Sequence, residues 1–224
     1  LERKIIITDD GSTTIHIPEW NEQYHSTHGA IQEAKHVYLE HGLAYFCASE
    51  GYMKQSQISI LEIGFGTGLN AFLTAIKAKE LNLNCNYVGV EGFPISKEEL
   101  KALNYSEVLK HENTFNAIHD SEWESSFTIS ENFNLKKQQK QFSGITDKNK
   151  FDIVYFDAFG PRVQPELWTE AIFKSMYEAM KPNGVLVTYC AQGHARRAMI
   201  SVGFTVEKVK GPPGKRHMLR AVKL

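Results

Sequence analysis

A doubly wound α/β sheet, mostly parallel with a C-terminal antiparallel hairpin and preceded by a small appendage, is the fold this sequence predicts. Three observations carry the reading. From residue 58 onward, apolar strand-like runs alternate with helical ones, the rhythm of a parallel sheet covered on both faces. A glycine-rich turn, Gly64-Phe65-Gly66-Thr67-Gly68, joins the first of those strands to its helix. The chain closes on Val206 and then Met218 to Val222, two extended runs around Gly211-Pro212-Pro213-Gly214. A length of 224 residues with 42% hydrophobic and 23% charged side chains fits one core with a short addition, and rules out wholesale disorder.

Taken in order, Ile5-Ile6-Ile7 and Thr13-Thr14-Ile15-His16-Ile17 flank Asp9-Asp10-Gly11-Ser12, the pattern of a hairpin with its turn. Between Gly29 and Leu43, Ala30, Ala34, Val37 and Tyr38 recur at helical spacing, and a second helix follows through Phe46. Residues 1–55 are therefore read as a hairpin and helical appendage, and 56–224 as the main domain. Ile58 to Ile63 forms the first core strand, residues 69 to 81 its helix, and Asn86 to Glu91 the next strand. The run Lys136-Lys137-Gln138-Gln139-Lys140-Gln141 reads as an exposed strand edge or loop. Phe151 to Asp157 is an apolar strand closed by an acid. A helix through Trp168, Ile172 and Met176 stops before Pro182-Asn183-Gly184, a turn that launches the strand Val185 to Tyr189.

Composition excludes several classes. No apolar run approaches the roughly 18 to 20 residues that span a bilayer, and no signal-peptide stretch follows the first residues, so a cytoplasmic protein without membrane attachment is expected. Cys47, Cys85 and Cys190 lie far apart, and His25, His28, His36 and His41 follow no ligand spacing, so no metal site is expected. The net charge of −1 argues against nucleic-acid binding by bulk charge. Its distribution is uneven, however: Arg196, Arg197, Lys208, Lys210, Lys215 and Arg216 crowd the C-terminal end, a candidate footprint for phosphates.

The glycine turn is the informative motif. Glycines there permit a tight turn and close approach of a ligand to the backbone, while the following helix offers free N–H groups. The spacing Gly64-x-Gly66-x-Gly68 places the third glycine one position early for the dinucleotide fingerprint, which disfavours NAD. Glu91 closes the next strand, where a carboxylate has acceptors for both hydroxyls of a ribose. Loop plus acid suits S-adenosylmethionine, with Glu62, Gly64, Gly66, Thr67, Gly68, Asn70, Glu91 and Asp157 as the candidate cofactor-binding set.

These residues, together with Glu91-Gly92-Phe93-Pro94, Phe156-Asp157-Ala158-Phe159-Gly160-Pro161, Pro165-Glu166-Leu167-Trp168 and Gly211 to Leu219, resemble the methyltransferase part of the bifunctional tRNA-modifying MnmC family and its free-standing relatives. Tyr24-His25-Ser26, Gly29 and Glu33 are similar to the family's N-terminal segment, so the likeness covers nearly the whole chain. The resemblance implies a Rossmann-like class I S-adenosylmethionine-dependent methyltransferase. The implied reaction is methyl transfer to the primary amine of 5-aminomethyl-(2-thio)uridine at the tRNA wobble position. It also implies the tRNA anticodon region as partner, and a separate enzyme supplying the aminomethyl intermediate, because 224 residues hold no room for the family's FAD oxidase. Two positions depart from the family pattern. No acid in Phe133 to Lys140 is placed to contact adenine, where Gln138 and Gln139 offer amides, and His217 stands where an acid is expected.

An alkyl amine with a pKa near 10.4 is about 3 units uphill to its neutral form at pH 7, roughly 4 to 5 kcal/mol, so the site must dispose of a proton. Asp157 is the candidate catalytic residue, orienting the amine and receiving or relaying that proton, although an ordinary carboxylate with a pKa near 4 is a weak base. Tyr24 and Phe159 are candidates to stack on the uracil, with core packing an equal alternative for each. Two other functions compete: a methyltransferase of small-molecule amines, and a noncatalytic module that binds RNA or nucleotides. The basic C-terminal residues favour tRNA over the first, and Asp157 beside an intact glycine loop favours catalysis over the second.

Overall fold

The computed structural model describes residues 1–49 and 57–224. The appendage begins with β1 (Lys4–Ile7), β2 (Thr13–Ile17) and the short β3 (Glu22–Gln23), an antiparallel sheet in the order β1-β2-β3. Its turn is organised by Asp10, whose carboxylate accepts hydrogen bonds from Thr8, Ser12 and the Gln32 N–H. Asn104 fastens it to the rest of the molecule, accepting from the Thr13 N–H at 2.9 Å and donating to the Gly11 carbonyl at 2.9 Å.

The two helices expected between Gly29 and Phe46 are one. Ala30–Ala34 is α-helical, Lys35–Ala44 widens to π-type pairing, and Tyr45–Cys47 closes it. The widened turns lie on the main sheet, where Gly42 lets the helix come close: a Cβ there would meet the Tyr155 ring and Val187 at 3.0 Å. The appendage thereby shares the core of the main domain. The boundary expected at residue 55 lies outside the described residues.

The main sheet contains β4 (Ile58–Ile63), β5 (Cys85–Glu91), β6 (Ser126–Ser130), β7 (Phe133–Gln139), β8 (Phe151–Phe156), β9 (Met180–Thr188), β10 (Thr205–Lys210) and β11 (His217–Val222). Their order is β10-β11-β9-β8-β4-β5-β7-β6. The five strands from β9 to β7 in that order run parallel, and each edge ends in an antiparallel hairpin, β10–β11 and β6–β7. One face packs under the appendage helix, the helix Leu69–Leu81 and the helix Glu112–Asp120; the other packs under Glu170–Ala179 and Gly193–Ser201. This is the doubly wound arrangement, with near-continuous apolar strands β4 and β8 at its centre, as burial on both faces requires.

Two local expectations are corrected. The lysine-rich run 136–141 is no edge: β7 lies between β5 and β6, and Lys137 is buried. Lys137 escapes the cost of burial by donating to the Ile118 and His119 carbonyls at the C-terminal end of the helix Glu112–Asp120, and by lying over the Trp123 ring. The turn at Pro182-Asn183-Gly184 does not separate helix from strand. β9 already starts at Met180, opposite Phe151, and absorbs the turn residues as a register shift with Asn183 at φ +64°.

Strand order sets the position of the site. The chain leaves β4 toward β5 and β7 on one side, then returns to β8 on the other, so the strand order reverses at β4. In open α/β sheets the crevice at such a reversal, beyond the carboxyl ends of the strands, is where ligands bind.

Candidate active site

A cavity of about 1540 Å³ lies at that reversal, lined by residues after β4, β5, β8 and β9, by the appendage, and by the loop before β11. It exceeds the roughly 300–1000 Å³ of an ordinary small-ligand site.

The floor is built by the glycine turn. Gly64, Gly66 and Gly68 have φ of +86°, +50° and +72°, a left-handed path that side chains resist. A Cβ at Gly64 would stand 2.4 Å from the Asp157 carbonyl, and one at Gly66 would stand 3.1 Å from the Tyr24 ring. The absent side chains thus let two strand ends and the appendage converge. Glu91 spans the neighbouring gap: one carboxylate oxygen accepts from the Gly66 N–H at 2.9 Å, the other from the Phe93 N–H at 2.8 Å. Each oxygen retains further accepting capacity toward the cavity.

Asp157 leaves the end of β8 into the same space, its N–H held by the Ile63 carbonyl at 2.8 Å. Behind it, the Asn70 side-chain amide donates one hydrogen to Asp157 Oδ2 at 2.8 Å and the other to Glu62 Oε1 at 2.9 Å. Burial pushes the Asp157 carboxyl up to about 7; the Glu33 charge adds to this, while hydrogen bonds from Tyr38 and Asn70 and the Lys215 ammonium oppose it. Burial, reinforced by the charge of Asp157, also holds the Glu62 carboxyl well above the usual carboxylate range. A carboxyl with a pKa near 7 is matched to proton transfer at neutral pH, which an ordinary carboxylate is not.

The opposite wall is aromatic and cationic. The Phe159 ring stands edge-on between Tyr24, at 5.0 Å, and Trp20, at 5.4 Å. Arg162 braces this group by donating to the Trp20 and Asn21 carbonyls and to Glu22 at 2.8 Å. Lys215 reaches back from the loop before β11 to Glu33 at 2.5 Å and lies 4.0 Å over the Tyr189 ring, whose hydroxyl donates to the Ala158 carbonyl. Glu33 also accepts from the Ser26 N–H at 2.7 Å. One ion pair therefore joins the appendage, the terminal hairpin and the cavity wall.

The structure brings together Gly64, Gly66, Glu91, Asp157, Tyr24, Phe159, Lys215 and Arg216, all of which line the cavity. Glu62, Thr67, Gly68 and Asn70 lie beneath its surface instead. The Thr67 hydroxyl faces the buried His25 ring at 3.5 Å, and burial holds that ring's pKa down to about 4. Arg196, Arg197, Lys208 and Lys210 lie away from the cavity, on the helix Gly193–Ser201 and the edge strand β10. Trp20, Arg162, Gln141 and Tyr189 line the cavity without any sequence signal of their own. Gln141, two residues beyond β7, borders the Glu91 side and lies 3.2 Å from where a Gly92 Cβ would stand. Gln138 and Gln139 are not among the lining residues. Among the described residues, no three His, Cys, Asp or Glu side chains are grouped to hold a metal ion.

A glycine turn, an acid on the adjacent strand and a doubly wound sheet ending in an antiparallel hairpin define the Rossmann-like methyltransferase class. Residues 104–224 match the S-adenosyl-L-methionine-dependent methyltransferase family model, and the chain belongs to that family. The bifunctional protein MnmC of tRNA 5-methylaminomethyl-2-thiouridine biosynthesis from Cupriavidus metallidurans is 26% identical over 95% of this chain and 33% of its own length. Its counterpart from Burkholderia thailandensis is 28% identical over 96% and 34%. The chain thus spans about a third of the length of the curated relatives it matches. Among solved structures, MnmC2 from Aquifex aeolicus superposes with a TM-score of 0.74 at 25% identity, covering 98% of this chain and 70% of that one. Spermidine synthase from Thermotoga maritima, at 13% identity and a TM-score of 0.59 over 99% of this chain and 68% of its own, shares the fold.

Proposed function

We propose that this chain transfers a methyl group from S-adenosylmethionine to the primary amine of 5-aminomethyl-(2-thio)uridine at the wobble position of tRNA. The observation that carries the reading is Asp157, a carboxyl with its pKa near 7 facing the same cavity as the glycine turn and Glu91. The likeness to MnmC proteins along nearly the entire chain supports the choice of substrate.

The residues fit the cofactor. Gly64 and Gly66 present bare backbone, Glu91 offers two oriented acceptors for ribose hydroxyls, and Gln141 with Phe142 borders the side where adenine would lie. S-adenosylmethionine, when bound, supplies a sulfonium methyl for in-line transfer to the nitrogen. Asp157 accepts a hydrogen bond from the amine and takes its proton, so the nitrogen lone pair is free to form the new N–C bond. With its pKa near 7, Asp157 faces an uphill proton transfer of about 3 units from an amine near 10.4, against about 6 for an ordinary carboxylate. Tyr24 and Phe159 hold the uracil, and the cavity's volume leaves room for base and cofactor together. Arg216 at the rim, with Arg196, Arg197, Lys208 and Lys210 farther out, meets phosphates of the anticodon region.

In this reading, residues 1–55 are an appendage that completes the substrate wall and 56–224 are the methyltransferase domain. A separate activity forms the aminomethyl group, and the setting is the cytoplasm. No helix among the described residues is long and apolar enough to cross a membrane, which is consistent with that setting. The test is single-turnover transfer of labelled methyl to tRNA bearing 5-aminomethyl-uridine, beside the same tRNA lacking the amine and a panel of small alkyl amines. Transfer confined to the aminomethylated tRNA is expected. Transfer to the free amines alone would replace tRNA with a small-molecule substrate.

A further inference from the structure

Two polar residues of the glycine-turn motif do not reach the cavity. Glu62 and Asn70 are fully buried, at 0% and 2% exposure, and neither lines the space a ligand would occupy. Asn70 sits in the first turn of the helix Leu69–Leu81, directly behind Asp157. Both hydrogens of its side-chain amide are committed, one to each carboxyl. That geometry selects an amide: a hydroxyl has one hydrogen and a carboxylate none. We propose that Asn70, braced by Glu62, is the positioning residue that aims Asp157 into the cavity, and that neither of the pair contacts the cofactor.

The chemistry requires such a brace. Asp157 has single-bond freedom about χ1 and χ2, and a proton acceptor is useful only if its free oxygen is held toward the amine. Asn70 ties Oδ2 from behind, and with the Tyr38 hydroxyl beside the carboxyl it fixes how Asp157 faces the cavity. Two carboxylates sharing one buried amide would repel each other, so the arrangement is stable when Glu62 carries the proton and Asp157 is the one that ionises. Burial raises both carboxyls and the hydrogen bond from Asn70 opposes the rise in each, while the Lys215 ammonium further favours the charged form of Asp157.

This inference rests on the proposed role of Asp157, but its decisive measurement needs no turnover. The Asp157 carboxyl is titrated by ¹³C NMR in the ligand-free protein and assigned by loss of its signal in Asp157→Asn. In Asn70→Ala, or in Asn70→Ser should the alanine variant fold poorly, the Asp157 midpoint moves upward by half a unit or more. In Glu62→Gln, which keeps the acceptor for Asn70 and cannot ionise, it stays in place. The thermal unfolding midpoint gives an independent check. A carboxyl with a raised pKa in the folded state contributes stability that is lost as pH rises above its unfolded value near 4.5, so above that pH the wild type loses stability more steeply than Glu62→Gln. By calorimetry, S-adenosylmethionine affinity changes less than about threefold in Asn70→Ala. In turnover, kcat falls ten- to a hundredfold with KM little changed, and the acidic limb of the pH profile moves up with the NMR midpoint. An unmoved Asp157 titration in both Asn70 variants overturns the proposal, as does a tenfold loss of cofactor affinity. Absence of transfer by the wild type would remove the proposed substrate and leave the titration to decide the positioning role.

Discussion

The two walls of the cavity are made in different ways. The proposed cofactor wall comes from consecutive strand ends: Gly64 and Gly66 after β4, Glu91 at the end of β5 and Asp157 after β8, all delivered by neighbouring parallel strands. Sheet register alone brings them together, and buried strands hold them. The proposed substrate wall joins segments far apart in the chain, Trp20 and Tyr24 of the appendage, Phe159 and Arg162 of the loop after β8, and Lys215 of the terminal hairpin, which pairs with Glu33 across 182 residues. It is held by side chains touching one another. A methyltransferase can thus keep its cofactor wall fixed while the substrate wall is rebuilt by whatever packs over it, the division between scaffold and loops that lets one fold host many activities.

The comparison is tested most severely at Asp157, where the two walls meet. Asp157→Asn keeps the shape and removes the proton acceptor, so methyl transfer falls by about 10² or more. Affinity for S-adenosylmethionine and for tRNA changes much less, since the loss is in the transition state. Rapid-quench single turnover reads the first, and calorimetry the second. A rate near that of the wild type would reduce Asp157 to a loop residue and pass the proton-accepting role to another group lining the cavity.

Next in size is Glu91. With its two backbone donors released, Glu91→Ala disturbs the glycine turn and removes the proposed ribose contact together, an expected cost of about 1–3 kcal/mol of cofactor binding. Calorimetry with S-adenosylmethionine checks it. Binding of tRNA is expected to be unchanged if the walls are as separate as their construction implies, and a parallel loss of both affinities would show them coupled.

How much of this was legible in the sequence follows the same division. Period and punctuation placed β4, β5, β8 and the terminal hairpin within a residue or two, because local apolar runs and glycine turns determine them. The glycine turn and the acids at strand ends pointed to the cofactor class for the same reason: register carries sequence-local features to one edge. What failed depended on distant partners. Lys137 reads as solvated until β6 covers it and the helix Glu112–Asp120 offers its carbonyls. Glu62 and Asn70 read as cofactor contacts from the motif alone, and it takes the depth of the strand end and first helical turn to place them beneath the cavity surface, bonded to each other and, through Asn70, to Asp157. Trp20 carries no motif, and only the fold of the appendage places it beside Phe159.

Trp20 is the sharper probe of the substrate wall because it belongs to no recognised pattern. If the aromatic group holds an unpaired uracil, Trp20→Ala removes one side and weakens binding of an aminomethylated anticodon stem-loop about fivefold, near the lower end of what stacking contributes. Tryptophan emission quenched by that stem-loop in the wild type is expected to lose most of its response in Trp20→Phe, where the wall persists without the reporter. S-adenosylmethionine affinity remains as it was.

The smallest effect separates two neighbours that the sequence groups together. Lys215 and Arg216 are consecutive cations of the terminal hairpin, yet Lys215 is committed to Glu33 and lies over Tyr189, while Arg216 is exposed at the rim. A cation already paired within the protein has little counterion release to offer, whereas a free one that meets a phosphate lowers the slope of log affinity against log salt by about 0.7 to 0.9. Arg216→Ala is therefore expected to weaken tRNA binding severalfold at low salt and to flatten that slope by nearly one unit. Lys215→Ala is expected to leave the slope unchanged and to act on the wall itself, since Glu33 then keeps its Ser26 contact but loses its cation. Fluorescence anisotropy of labelled tRNA from about 50 to 200 mM salt distinguishes them. Equal flattening in both variants would mean that tRNA displaces Glu33 from Lys215 on binding, and that the substrate wall opens its own ion pair to receive the backbone.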